Sequence, residues 1–110
     1  MREETFEIRF VDCTPDEANT YAEELQQQLT EADSSVTLKR RKDSQSTQDF
    51  GATLVLILGT GAITAVAKGF SAWMIRNTGA KVIITKDGEV VAENIDSRDA
   101  ARIVADALKR

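Results

Sequence analysis

The sequence predicts a small domain of the α/β (α+β) class, with its elements in the order β-α-β-α-β-β-α. Three features predict it: alternating apolar and charged residues in Thr5–Val11, one long apolar run at Phe50–Ile75, and an Asp87-Gly88 turn between two strand-like segments. Four strands and three helices pack in layers around one core, and 110 residues correspond to one domain. We therefore predict a single domain over residues 1–110, with a four-stranded mixed sheet and a long apolar central helix.

The first strand and the first helix carry clear local signals. Every second side chain of Thr5–Val11 is apolar, which is typical of a half-buried strand. Thr14-Pro15-Asp16-Glu17 follows as a capping box, with proline at the first helical position. The helix that follows has one apolar face, formed by Ala18, Tyr21, Ala22, Leu25, Leu29 and Ala32.

The second strand is predicted at Val36–Lys39. A strand–helix–strand unit with one crossover predicts parallel pairing of its two strands. The basic run Lys39–Lys42 has two interpretations: it grips phosphate or an acidic partner, or its charges discourage edge pairing at a solvated strand end. No aromatic residues for stacking accompany the run, which favours the second interpretation. The polar residues 43–49 are predicted to form a loop.

The central run Phe50–Ile75 is interpreted first as one helix. On a helical projection, large side chains including Trp73 occupy one arc of about 100°. A second arc carries the small residues Gly61, Ala65, Gly69 and Ala72. Small residues let another backbone approach closely, so we predict an interaction site at Gly61, Ala65, Gly69, Ala72 and Trp73. The partner on this arc is either a second copy or another helix of the same chain.

Two other interpretations of the run remain open. About 20 apolar residues span a bilayer, and Lys68 would snorkel near one end; the flanking segments, however, are too small to fold as separate cores. Alternatively, Leu54–Leu58 is a buried strand and Gly59–Thr64 a phosphate-binding turn before a helix. That motif needs a third small residue where Thr64 stands.

The C-terminal third is predicted as two strands and a helix. Asn77-Thr78-Gly79 ends the central helix, and Asp87-Gly88 joins strands Lys81–Thr85 and Glu89–Ala92 as a hairpin. Asp96-Ser97 is predicted to cap the last helix, with Asp99 in its first turn. The apolar face of this helix consists of Ala100, Ile103, Val104, Ala107 and Leu108.

The composition of the chain argues against several classes of function. The net charge of −4 gives no general attraction to nucleic acid. The chain has no histidine, which excludes Ser-His and Cys-His nucleophile pairs and removes the commonest transition-metal ligand. The single cysteine, Cys13, precludes an internal disulfide and favours a reducing, cytoplasmic setting; it is expected to be a partly buried small residue rather than a redox thiol. The N-terminus lacks an apolar signal segment. We expect no cofactor, no metal and no catalytic residues.

The second half resembles a known family. A glycine-rich apolar helix ends in Ala72-Trp73-Met74-Ile75-Arg76, and a strand, Asp87-Gly88, a second strand and a terminal amphipathic helix follow. This resembles the small effector-associated constant component proteins of bacterial conflict systems, most clearly over Gly51–Leu108. The resemblance implies an accessory role beside a variable effector, such as a trypsin-like or caspase-like peptidase, and brings no catalytic residues. No effector is fused here, so the partner is expected to be a separate polypeptide or a second copy of the chain.

Overall fold

A computed structural model of the chain describes residues 3–42, 52–93, 95 and 98–109. Within these residues the chain forms five strands, three α-helices and a short 3₁₀ turn. In chain order they are β1 (Glu3–Val11), α1 (Pro15–Ala32), β2 (Thr37–Lys42), β3 (Ala52–Gly59), the 3₁₀ turn (Thr60–Ala62), α2 (Ile63–Arg76), β4 (Lys81–Lys86), β5 (Glu89–Ala92) and α3 (Ala100–Leu108).

The strands form one sheet in the order β2-β3-β1-β4-β5, and every neighbouring pair is antiparallel. Ile8 of the central strand β1 pairs with Leu54 of β3 on one side and with Ile84 of β4 on the other. The chain contains two strand–helix–strand units, β1-α1-β2 and β3-α2-β4, and in each unit a strand of the other lies between its two strands. The strand β3 lies between β1 and β2, and β1 lies between β3 and β4. This is the split β-α-β connectivity of ferredoxin-like domains, extended by β5 and α3.

Two sequence predictions about this sheet are wrong. The predicted four-stranded mixed sheet is a five-stranded antiparallel one. The two strands β1 and β2 do run in the same direction, but β3 is inserted between them, so they do not pair. The missing strand is β3, which lies inside the run that was predicted as one helix.

The predicted single helix over Phe50–Ile75 is also wrong. Ala52–Gly59 is hydrogen-bonded between β2 and β1, and the helix begins only at Ile63. Leu54, Leu56 and Leu58 are buried, whereas the alternate residues Val55 and Ile57 are half-buried on the other face. Leu54–Leu58 is apolar on the face under the helices and on the outer face alike, so it lacks the alternation of a half-buried strand, and Gly59 and Gly61 mark the turn that separates it from α2. The local strand–turn–helix structure of the third interpretation is therefore the one present.

The helices pack as one layer on one face of the sheet. The central helix α2 lies between α1 and α3, and the layer covers the alternate, fully buried side chains of the inner strands, such as Phe6, Ile8 and Leu56. Four rings join α1, α2 and β1, with centroids 5.7–6.2 Å apart. They belong to Phe10, Tyr21, Phe70 and Trp73.

Two local predictions are confirmed in detail. The backbone N–H of Glu17 donates to Thr14 Oγ1 at 3.1 Å, and the N–H of Thr14 donates to Glu17 Oε1 at 2.9 Å, which completes the capping box. Asp87 and Gly88 both have positive φ, 53° and 82°, as a two-residue type I′ hairpin requires.

The ends of the later helices differ in part from prediction. The helix α2 ends at Arg76, and Asn77 caps it by donating its backbone N–H and its side-chain amide to the carbonyl of Trp73, the amide at 2.9 Å. Asp99 precedes α3 and does not stand in its first turn. The predicted cap Asp96-Ser97 and the predicted loop 43–49 lie outside the described residues. The predicted apolar face of α3 is confirmed, with Ile103 the member that is only half-buried.

Candidate interaction surfaces

The structure divides the five predicted interaction residues among different environments. A Cβ placed on Gly69 would lie 2.9 Å from the Cβ of Ala32 and 3.3 Å from Leu29 Cδ2, so this glycine lets α2 approach α1. Trp73 is fully buried. At Gly69 the small-residue arc packs against another helix of the same chain, which is one of the two alternatives that the sequence left open.

The other three predicted residues lie nearer the surface. Gly61 belongs to the 3₁₀ turn and is exposed, Ala65 is half-buried and Ala72 is exposed. The helical projection assumed one continuous helix through all five residues, but α2 begins only at Ile63, so Gly61 lies outside it. The predicted residues therefore do not form one surface, and Ala72 is the member of the helix that solvent reaches.

Sequence analysis missed the most exposed apolar side chain on the helix layer. Ile75 is 61% exposed, and Val90 on β5 is 52% exposed; these are the exposed large hydrophobic residues among those described. Ile75 shares its face of α2 with Ala72 and Lys68 at spacings of three and four residues, and both neighbours are exposed. One signal was present in the sequence, because Ile75 falls in neither apolar arc of the helical projection.

A polar cleft lies between α1 and the last turn of α2. Its volume is about 260 Å³, and Arg76 donates a hydrogen bond across it to Gln28 Oε1. Within the described structure, the indole Nε1 of Trp73 is buried and has no hydrogen-bond partner. The cleft therefore presents carboxylates, a guanidinium group and side-chain amides to a ligand. Its lining consists of Glu24, Gln27, Gln28, Glu31, Trp73, Arg76 and Asn77.

The two edges of the sheet carry opposite charge. The edge strand β2 contains the whole basic run, and its described side chains Lys39 and Arg40 are exposed. The opposite edge, β5 with its hairpin turn, is flanked by the exposed carboxylates of Asp87, Glu89 and Glu93. The interpretation of the basic run as a charged strand end requires an edge position, and β2 is an edge. Arg40 also lies 3.7 Å from Glu23 Oε2 of α1.

The turn before α2 lacks the features of a nucleotide site. A Cβ on Gly61 would meet no atom within 4 Å, so no close approach to a neighbouring atom requires glycine at this position. The adjoining clefts are lined by three carboxyl-bearing residues, Glu3, Glu4 and Asp33, and by one cation, Lys109, so their net charge disfavours phosphate. The strand that leads into the turn has antiparallel neighbours on both sides, whereas a dinucleotide-binding fold has a parallel sheet there.

Cys13 follows the end of β1 and is half-buried. Burial raises the pKa of its thiol, and the carboxylates of Glu17 and Asp12 raise it further. Since the thiolate is the reactive form, this environment lowers the reactivity of Cys13 and agrees with the prediction of a packing residue. Among the described residues, no group of three or more Cys, Asp or Glu side chains is placed to bind a metal ion, and no helix has the length and apolarity needed to cross a membrane.

Comparison with known proteins gave no relative. A scan against protein-family models, a search of curated proteins and a search of solved structures each returned no match.

Proposed function

We propose that this chain is a non-enzymatic adaptor of a bacterial conflict system. It works in the cytoplasm by docking an effector protein, such as a trypsin-like or caspase-like peptidase, or by binding a second copy of itself. The observation that carries the proposal is the exposed Ile75, on the solvent-facing side of α2 that it shares with Ala72 and Lys68. Among the described residues of the helix layer, Ile75 is the large apolar side chain that is exposed, while the others are buried or half-buried; a large exposed side chain beside a polar cleft has the form of a docking site.

The surroundings of Ile75 fit those of an interface anchor. Full burial of an isoleucine side chain contributes about 1.5–3 kcal/mol, and the small neighbour Ala72 leaves room for a partner to reach it. Arg76 and the cleft beside it supply the polar rim that surrounds such anchors.

The size of the domain is compatible with an interface of standard dimensions. Such an interface covers about 800 Å² of each partner, which is roughly an eighth of the 6478 Å² surface of this chain. The layer of α1, α2 and α3 presents one continuous face, with α2 at its centre. An effector centred on Ile75 would therefore rest on all three helices.

The experiment tests binding to the products of the genes that neighbour the coding gene. The wild-type chain, Ile75→Glu and a matched control, Thr64→Glu, are each titrated by calorimetry with every neighbouring product that encodes a peptidase or another effector. Thr64 is exposed on the same helix, about three turns away. We expect wild type and Thr64→Glu to bind one of these proteins, and Ile75→Glu to bind it at least tenfold more weakly. Equal binding by Ile75→Glu, or no binding by any variant, would overturn effector docking through Ile75.

A further inference from the structure

We propose that copies of this chain join head to tail, with β2 of one copy pairing with β5 of the next to continue the sheet. The inference deepens the self-association arm of the proposed function and depends on it. Its starting point is the strand order, which leaves β2 at one edge and β5 at the other. In the described part of the chain, each of these strands is paired on one side only.

Opposite charge selects which edges meet. The strand β2 carries four consecutive bases at Lys39–Lys42, whereas the segment 87–93 carries three acids and no base. Directly opposed like charges destabilise a strand pair, and opposite charges stabilise it. Pairing β2 with β2, or β5 with β5, would oppose like charges. Pairing β2 with β5 opposes acids and bases, so the favoured occupant of each edge is the other edge of a second copy.

The edge at β5 also presents an apolar side chain and free backbone groups. Lys86 and Glu89 close the two-residue turn, so the N–H of Glu89 points toward β4. Backbone groups alternate in direction along a strand, and those of Val90 therefore point outward. The side chain of Val90 is 52% exposed and would be covered by the side chains of an added strand. Natural edge strands commonly carry lysine or a bulge as protection. The strand β2 carries lysine, whereas β5 has no lysine and its ladder with β4 shifts register beyond Val90, between Thr85 and Ile84.

Strand direction defines the two possible arrangements. Four antiparallel steps separate β2 from β5, so the two edge strands run in the same direction. A neighbouring copy that keeps its helices on the same face of the sheet pairs in parallel, and a copy that is turned over pairs antiparallel. In both arrangements the contact joins two different surfaces, so assembly continues as an open chain unless the rotation per copy closes a ring.

The test uses charge exchange between the two edges. One variant carries Lys39→Glu and Arg40→Glu, and the other carries Glu89→Lys and Glu93→Lys; all four positions are exposed. Sedimentation velocity over a range of concentrations at low ionic strength measures the mass. We expect wild type to grow beyond 12.1 kDa with concentration, and to return toward it in about 1 M NaCl, where the Debye length is about 3 Å. Each variant alone should remain a monomer, and an equimolar mixture should associate, because the exchanged edges are again complementary.

A substitution that removes a backbone hydrogen-bond donor from the β5 edge is the second test. Val90→Pro removes the outward N–H at an edge position that tolerates proline, so it should abolish association, with Val90→Thr as the control that keeps the N–H. Wild type that stays monomeric at every concentration, or a mixture no heavier than its components, would overturn head-to-tail pairing. Ile75→Glu should associate like wild type. Failure of edge pairing and failure of effector docking are therefore separate results.

Discussion

The packing of α2 on α1 makes a quantitative prediction for Gly69→Ala. A new Cβ would lie 2.9 Å from the Cβ of Ala32, a separation that is shorter than van der Waals contact. The Cβ of Ala32 is attached directly to the backbone, so relief requires one helix to move relative to the other. Overpacking of this kind costs about 1–3 kcal/mol, while replacing a helical glycine by alanine gains about 1 kcal/mol. We expect a net loss of about 0–2 kcal/mol in the free energy of unfolding.

A double-mutant cycle separates these two effects. Ala32→Gly removes the atom that the new Cβ would meet, so the combination with Gly69→Ala should be more stable than the two single changes predict. The expected coupling is about 1–3 kcal/mol, equal to the overpacking cost. Lys68→Gly serves as the control, because Lys68 is exposed on the same helix and its replacement reports the propensity cost of glycine, about 1 kcal/mol.

Urea unfolding measures all of these variants. The transition is followed by far-ultraviolet circular dichroism and by the fluorescence of Trp73, the only tryptophan in the chain. If Gly69→Ala is more stable than wild type by about 1 kcal/mol, and the cycle is additive within about 0.5 kcal/mol, the close approach of the two helices is refuted.

Three further predictions concern single sites. Thr14→Ala removes the capping hydroxyl of α1 and should lower the free energy of unfolding by about 1 kcal/mol in urea titrations, whereas Thr14→Ser should stay near wild type. The hydroxyl and the N–H of Ser35 hold the pKa of Asp33 below its ordinary value, so the associated stability is present at neutral pH and is lost as the pH falls from the unfolded pKa through the folded one. Ser35→Ala should raise that pKa in an NMR titration, and an unchanged value would contradict the contact. Trp73→Ala should cost about 3–5 kcal/mol, with Trp73→Phe costing less; native emission that is already red-shifted would show that the indole is not buried.

The local elements were predictable because their signals are contiguous. The capping box occupies Thr14–Glu17, and the hairpin turn is read from Asp87 and Gly88. In both cases the residues that form the hydrogen bonds or adopt the positive φ are neighbours in sequence. Such signals depend on side-chain chemistry and backbone freedom, which do not change with the surroundings of the segment.

The central run was mispredicted because its pattern fits two structures. Leu54–Leu58 is apolar at every position, and a helix buried on several sides has the same pattern as a strand that carries apolar side chains on both faces. The choice is made by β1 and β2, which hydrogen-bond to β3 from either side. Since these partners lie far away in sequence, periodicity within the run does not reveal them.

The candidate site was predictable only in part for the same reason. Gly69 was identified correctly as a position of close helix approach, but the approaching helix is α1 of the same chain. The exposure of Ile75 depends on how α1 and α3 flank α2. The opposite charges of the two edges were visible in the sequence, but the strand order that makes them edges was not.

The central place of β1 has a consequence for synthesis on the ribosome. This strand leaves the ribosome early, yet Ile8 pairs with Leu54 and Ile84. At roughly 5–20 residues per second, the nascent strand waits about 4–15 s for its second neighbour. Until β3 has been made, the apolar side chains of Phe6, Ile8 and Phe10 have no neighbouring strand, although the capped helix α1 is able to form. The strand β1 is paired on both sides only after translation has passed Lys86, so its second edge stays open through most of the synthesis of the described residues.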